Sequence, residues 1–230
     1  MNLYLLPMLL ADNSHTKALT PYSLECIRGL KVFFVENVKT TRRFISSLKL
    51  GMVIDELRFI EVTKDTRFED IFAVLAELQE DAGIISEAGC AGVADPGALV
   101  VEAGHQLGLT VHPLVGPNSI LLALMGSGMN GQAFAFHGYL PIREEERAAK
   151  LRTLEKEAIR QNQTQIFMET PYRNNAMLQT LLKTLGPKTR LCVAADLTAE
   201  TEYLCTRSIS GWKKHPLPDL HKRPAIFLLN

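Results

Sequence analysis

The segment Gly83-Ile84-Ile85-Ser86-Glu87-Ala88-Gly89-Cys90-Ala91-Gly92-Val93-Ala94-Asp95-Pro96-Gly97 gathers the residue types best placed to do chemistry. An apolar run ends at Ser86, small residues follow, and Pro96 opens the next helical pattern. Small side chains let a ligand approach the backbone amides closely. Loops at the carboxyl ends of strands are where open α/β sheets take up ligands. The spacing is neither GxGxxG nor a P-loop, and the same residues also suit a plain, tight strand-to-helix turn. Cys26, Cys90, Cys192 and Cys205 are widely spaced with no CxxC pair. Neither a zinc site nor a disulfide framework is expected, and no metal is implied.

These residues need strands and helices to position them. Short apolar runs at 3–6, 32–35 and 109–112 read as strands. Amphipathic or capped stretches at 21–30, 40–48, 68–78 and 96–107 read as helices, with Pro21 in a first turn. Gly83 is expected to end the third helix, with a strand starting at 84–85, and Gly108 to close the fourth. Strand alternating with helix through short links predicts a parallel sheet covered by helices. The Pro- and Gly-rich stretch 112–117 breaks both periodicities. It divides the chain into an N-terminal α/β domain, 1–113, and a C-terminal α+β domain, 114–230. In the second domain, helices are expected at 119–125, 143–161 and 174–185, and strands at 133–137, 164–168, 191–195, 202–206 and 225–229.

Composition excludes several classes. The chain of 230 residues is 47% hydrophobic with 25 basic and 25 acidic residues, which is too apolar for a disordered chain. Its halves differ in charge. Residues 1–115 hold 10 Lys and Arg against 15 Asp and Glu, and residues 116–230 hold 15 against 10. That argues against indiscriminate nucleic-acid binding and leaves a basic face for the second half. The N-terminus lacks a basic leader and no run of about 18 apolar residues occurs. Neither a secretory signal nor a membrane span is expected, and free thiols suit a reducing cytoplasm.

Several motifs in order resemble one family. Ser86-Glu87-Ala88-Gly89 with Asp95-Pro96-Gly97 resembles the S-D-A-G-x-P-x-x-x-D-P-G segment of the ribosomal small-subunit 2′-O-ribose methyltransferase I family, in the tetrapyrrole methylase superfamily. Leu3-Tyr4-Leu5-Leu6-Pro7 resembles its opening strand. Val115-Gly116-Pro117-Asn118-Ser119 resembles L-P-G-P-[SC]-A, and Phe136-His137-Gly138-Tyr139-Leu140-Pro141 resembles F-x-G-F-L-P. Phe167-Met168-Glu169-Thr170-Pro171-Tyr172-Arg173 resembles F-Y-E-S-P-H-R, and Asp196-Leu197-Thr198 resembles R-E-L-T-K. The resemblance implies a two-domain tetrapyrrole-methylase fold, with a parallel-sheet N-terminal domain, a mixed-sheet C-terminal domain and S-adenosylmethionine (SAM) in the cleft between them. It implies a homodimer and transfer of a methyl group to a cytidine ribose 2′-hydroxyl of small-subunit ribosomal RNA. Another substrate, such as a tetrapyrrole, and a non-catalytic SAM-binding module are the alternatives. By the same resemblance, SAM contacts fall on Ala88, Gly89, Cys90, Val93, Asn118, Ser119, Met168, Glu169, Pro224 and Ala225.

The sequence also departs from the pattern. The family's P-T-P-I-G-N loop is here Pro7-Met8-Leu9-Leu10-Ala11-Asp12, and A-E-D-T-R is Val35-Glu36-Asn37-Val38-Lys39. Asp becomes Glu87, Thr becomes Cys90 and Pro becomes Ala91, whereas Glu36, Asp95, Glu169 and Arg173 match. The chain ends at Asn230, slightly trimmed against the pattern. Glu36 and Glu169 are the candidate bases for a hydroxyl proton, and Glu87, Asp95 and Arg173 the candidate substrate contacts. Each has a plainer role: Glu36 a solvated strand-end acid, Glu87 a loop acid, Asp95 a helix cap, and Glu169 and Arg173 a mutual pair. His215 and His221 flank Lys213, Lys214, Lys222 and Arg223, a cluster suited to phosphates or to plain solvation. Trp212 is either a base-stacking ring or a core anchor, more often the anchor.

Overall fold

A computed structural model describes the whole chain, Met1–Asn230. It divides into two compact units, Met1–Asn118 and Ser119–Asn230. The division follows the Pro- and Gly-rich stretch 112–117.

In the first unit the elements run β1 (Asn2–Met8), α1 (His15–Ala18), α2 (Pro21–Gly29), β2 (Val32–Val35), α3 (Val38–Ser47), β3 (Arg58–Glu61), α4 (Phe68–Glu77), β4 (Ala82–Ile85), β5 (Gly89–Cys90), α5 (Gly97–Gln106) and β6 (Thr110–Pro113). The strands order as β3-β2-β4-β1-β6, all parallel, with the two-residue β5 antiparallel to the end of β1. Strands buried on both faces are expected to be continuously apolar, and Val32-Phe33-Phe34-Val35 is buried at every position. The alternating side chains feed two cores. Val32, Phe34 and Ile84 pack with Ile71, Leu75, Val100 and Ala103 of α4 and α5. Phe33, Val35 and Ile85 pack with Ile27, Phe44 and Ile45 of α2 and α3.

Strand β1 is wedged between β4 and β6, and its side chains land on glycines. A Cβ added at Gly104 would lie 2.4 Å from Leu3 Cδ1, one at Gly83 2.5 Å from Leu6 Cδ1, and one at Gly116 2.0 Å from Pro7 Cβ. This corrects the expected role of Gly83. The third helix stops at Glu77 and Gly83 lies inside β4. It is a site of close approach in a strand, not a helix stop.

The second unit runs α6 (Ser119–Ser127), β7 (Phe134–Tyr139), α7 (Glu144–Gln161), β8 (Thr164–Met168), α8 (Asn174–Thr184), β9 (Arg190–Ala195), β10 (Tyr203–Ser208), α9 (Ile209–Trp212) and β11 (Ala225–Leu229). Its sheet orders as β10-β9-β11-β8-β7. Only β7 and β8 pair in parallel, so the sheet is mixed. One face carries the main core, in which Leu151, Leu154, Met177, Leu181, Phe167 and Phe227 meet. Helix α6 packs against β9, β10 and β11. Together the two units are α/β, with one parallel and one mixed sheet. No helix is long and apolar enough to cross a membrane.

Gly116→Ala is expected to destabilise the first unit by about 1–3 kcal/mol, because the proline ring it meets cannot move aside. A lower urea midpoint for that unit, followed by circular dichroism, checks this.

Candidate functional site

In the first unit the site is built at the carboxyl ends of β1, β2 and β4. After β4 the Ser86 hydroxyl donates to the Ala88 carbonyl at 3.1 Å. Gly89 and Cys90 then turn back along Pro7 and Met8 as β5. Gly89 has φ +75°, and a Cβ there would crowd the Pro117 carbonyl oxygen at 3.2 Å. The Cys90 thiol donates to that same oxygen at 3.4 Å. Burial pushes this thiol up, although a hydrogen bond with Asn118 opposes the shift. Cys90 thus ties the loop to 116–118 through its thiol, and the upward shift disfavours the thiolate.

The remainder of the loop is organised by Asp95. Its Oδ1 accepts from the amides of Gly92 at 3.0 Å and Gly97 at 2.7 Å, and its Oδ2 accepts from Val93 at 3.2 Å. Gly92 and Ala94 both adopt left-handed backbone, at φ +82° and +62°. Asp95 therefore caps the start of α5 and is occupied by its own loop, while Val93 is left exposed.

Glu36 follows β2 and is partly buried. Its Oε2 accepts from the Glu87 amide at 3.1 Å, and the Glu87 carboxylate accepts from the Thr40 hydroxyl at 3.1 Å. Asn37 caps α3 by accepting from the Thr40 amide at 3.0 Å. An open cleft of about 580 Å³ is lined by Glu36, Asn37, Thr63, Lys64, Glu87 and Asp95. Burial raises the Glu36 carboxyl above its ordinary value, the Glu87 amide works against that, and the Glu87 and Asp95 charges add to it. A carboxylate so placed is a stronger base than a free one and opens onto a cleft. A second cleft of about 510 Å³, lined by Leu9, Asp12, Thr40, Arg43, Glu87 and Ala88, lies beside the divergent first loop.

In the second unit Met168 ends β8 and pairs with Ile226, so Glu169 stands beside Pro224 and Ala225 at the start of β11. The Glu169 side chain is only 1% exposed. Its Oε1 accepts from the Thr170 amide at 2.7 Å and from Arg173 Nε and Nη2 at 3.0 and 2.5 Å. Its Oε2 is buried with no partner. A desolvated acceptor is costly to leave unpaired, so this oxygen keeps an unused capacity to accept a hydrogen bond. Ser119 is the first residue of α6.

The structure thus gathers Glu36, Glu87, Ala88, Gly89, Cys90, Val93, Asp95 and Asn118 around one loop system. It gathers Met168, Glu169, Arg173, Pro224 and Ala225 at one sheet end. Arg223 is engaged by Asp196 at 2.6 Å and by the Thr201 carbonyl at 2.6 Å, which removes its charge from the basic cluster. Trp212 is fully buried and donates to the Leu191 carbonyl at 2.8 Å, so it anchors the core and stacks on nothing external. Thr63 and Lys64 carry no signal in the sequence, because they follow β3, whose exposed Arg58 and Glu61 hide it as an apolar run. The apolar pair Phe59-Ile60 between two charged residues is the signal the sequence offers.

No protein-family model matches the chain. A protein named Ribosomal RNA small subunit methyltransferase I from Micromonospora olivasterospora is 30% identical over 200 residues, 87% of this chain and 60% of that protein. The proteins of the same name from Synechocystis and Xylella fastidiosa are 26% and 27% identical, covering 78% and 92% of this chain and 62% and 75% of theirs. The chain thus spans about 60% of the length of the first two relatives. Among solved structures, the methyltransferase CobJ superposes with a TM-score of 0.61 at 14% identity, covering 100% of this chain and 92% of its own. The uroporphyrin-III C-methyl transferase of Thermus thermophilus, complexed with S-adenyl homocysteine, superposes with a TM-score of 0.54 at 17% identity, covering 100% and 97%.

Two outcomes are expected. Both folded and unfolded chains hold the Glu36 proton below the ordinary value of 4.5. As pH rises the unfolded chain ionises first, so the wild type loses stability up to the raised folded value. Glu36→Gln is spared this loss, and its urea midpoint relative to wild type should climb between pH 4 and neutrality. Arg173→Ala strands the buried Glu169 carboxylate and should cost about 3 kcal/mol in urea unfolding.

Proposed function

From its standing as a divergent relative of the ribosomal RNA small subunit methyltransferase I proteins, in a tetrapyrrole-methylase fold, we propose that this chain is a SAM-dependent methyltransferase acting on small-subunit ribosomal RNA. Within that reading, the acceptor is the 2′-hydroxyl of a cytidine ribose. One observation carries most weight. The 86–97 segment that matches the family motif is also the loop that closes the carboxyl ends of the parallel strands, with small residues and left-handed backbone.

The residues suit the cofactor. Ala88, Gly89 and Cys90 offer backbone with little side-chain bulk, and Val93 an exposed apolar surface. The unpartnered Glu169 Oε2 is an acceptor for an amino or hydroxyl group, and Met168 and Ala225 supply apolar wall beside it. Such a mixture of apolar wall and a few fixed polar groups is typical of small-molecule sites. When bound, SAM supplies a methyl group already activated on its sulfonium. The chain's own work is to hold the reactants in line, to exclude water and to take up the hydroxyl proton.

Of the two candidate bases, we assign the proton to Glu36. Its proton affinity is raised by burial, and it opens onto a cleft. Glu169 is occupied by Arg173 through one oxygen and is assigned to binding.

Calorimetric titration with SAM, together with label transfer to undermethylated small ribosomal subunits, tests the reading. Micromolar binding and label in the RNA are expected. Binding without transfer to RNA would overturn the substrate, and no binding would overturn the cofactor. Glu36→Gln is expected to lower kcat by about a hundredfold or more while leaving SAM affinity within about twofold of wild type.

A further inference from the structure

Tyr172 is an anomaly on the surface of the second unit. It is 70% exposed, and no other large apolar side chain on its turn is exposed. Two basic side chains from a segment fifty residues away are in contact with its ring. The His221 ring meets it at 75° with centroids 5.9 Å apart, and Lys222 Nζ lies over it at 6.0 Å. We propose that Tyr172, His221 and Lys222 form a stacking platform for an unpaired nucleobase of the RNA substrate, with Lys222 serving the adjoining phosphate. This rests on the RNA reading above and names the feature of the RNA that the second unit grips.

The platform is built. The Lys222 amide donates to the Pro171 carbonyl at 3.0 Å, clasping the two segments together. Buried Asn174 donates to the Arg223 carbonyl at 2.6 Å. Asn175 accepts from the Leu220 amide at 2.8 Å and donates to Asp219 at 2.8 Å, and Asp219 accepts from the His221 amide at 3.0 Å. Lys222 itself is held in left-handed backbone at φ +60°. Asp219 accepts from Asn175 and from the His221 amide, and Arg223 is paired with Asp196, which leaves Lys222 as the cation at the ring.

The chemistry selects the partner. A single exposed ring beside a cation lacks the contiguous apolar area that a docking protein covers. Every nucleobase has a face that stacks on such a ring, and its backbone brings a phosphate within reach of the cation. The surplus of basic residues in 116–230 favours the same polyanion. The platform also lies on the turn that carries Arg173, whose amide donates to the Thr170 carbonyl at 2.9 Å. A base held there sits next to the residues assigned to the cofactor in this unit.

The test is steady-state methyl transfer to undermethylated small ribosomal subunits. Tyr172→Ala should raise KM for the subunits about tenfold or more, with kcat within about twofold. Tyr172→Phe should restore KM, and Tyr172→Leu, which keeps bulk without a π face, should not. Lys222→Ala should lower the salt slope of kcat/KM by about one. SAM affinity by calorimetry should be unchanged in all four, which separates the platform from any disturbance of Glu169 and Arg173. Unchanged KM in Tyr172→Ala and Tyr172→Leu, or equal losses in Phe and Ala, would overturn the platform while the RNA reading stands. Absence of transfer by the wild type would instead overturn the RNA reading itself.

Discussion

The first unit depends on how closely other backbone can approach β1. Three of its side chains, Leu3, Leu6 and Pro7, rest on glycines at 104, 83 and 116. Those contacts pull α5, β4 and the 114–118 segment against one inner strand. Because the carboxyl end of β1 then sits directly under residues 116–118, the Gly89-Cys90 turn has only one place to go. It is sandwiched between Pro7 and the Pro117 carbonyl, and the ligand-side loop inherits its position from packing beneath it. Close packing of this kind transmits strain readily, because there is no free volume to absorb it.

The acidic residues show how differently one chemical group can be used. Asp95 is satisfied by three amides and organises a loop. Glu155 is satisfied by the Gly186 amide and the Thr189 hydroxyl and secures a turn. Glu169 is paired through one oxygen, leaving the other desolvated and unpartnered. Glu36 has a single amide and partial burial. The first two are spent on structure. The last two retain unused hydrogen-bonding capacity, Glu169 at its buried Oε2 and Glu36 at the edge of an open cleft.

The parts of the fold that were legible in the sequence are those where local pattern and burial agree. Strands at 32–35 and 225–229 read directly, because their residues are continuously apolar and lie in sheet interiors, and 164–168 reads through Ile166-Phe167-Met168. Strand β3 did not, because it is an edge strand with charged ends. β5 did not, because two residues have no periodicity and are a strand only through their pairing with Pro7 and Met8. Gly83 misled because a glycine's local meaning is a stop, whereas here its meaning lies in the Leu6 side chain opposite. At the site, motif order located the loops, but only three-dimensional contact separates Asp95, which is occupied, from Glu36, which is open. Tyr172 stood in a matched motif without a role, since nothing near it in sequence announces His221 and Lys222.

The two sheets have inverse relations to the direction of synthesis. In the first unit the earliest strand, β1, is an inner one, and its partners β4 and β6 follow about eighty and a hundred residues later. In the second unit the inner strand is the latest, β11, which inserts between β8 and β9 as they wait. A nascent chain can therefore close its first sheet once residue 113 has left the ribosome. The second sheet stays split, with the edges of β8 and β9 unpaired, until Ala225–Leu229 emerges. From Ala195, the end of β9, to Leu229, elongation at about 5–20 residues per second makes that interval a few seconds. During it, the exposed strand edges of the second unit are the part of the nascent chain most in need of a chaperone.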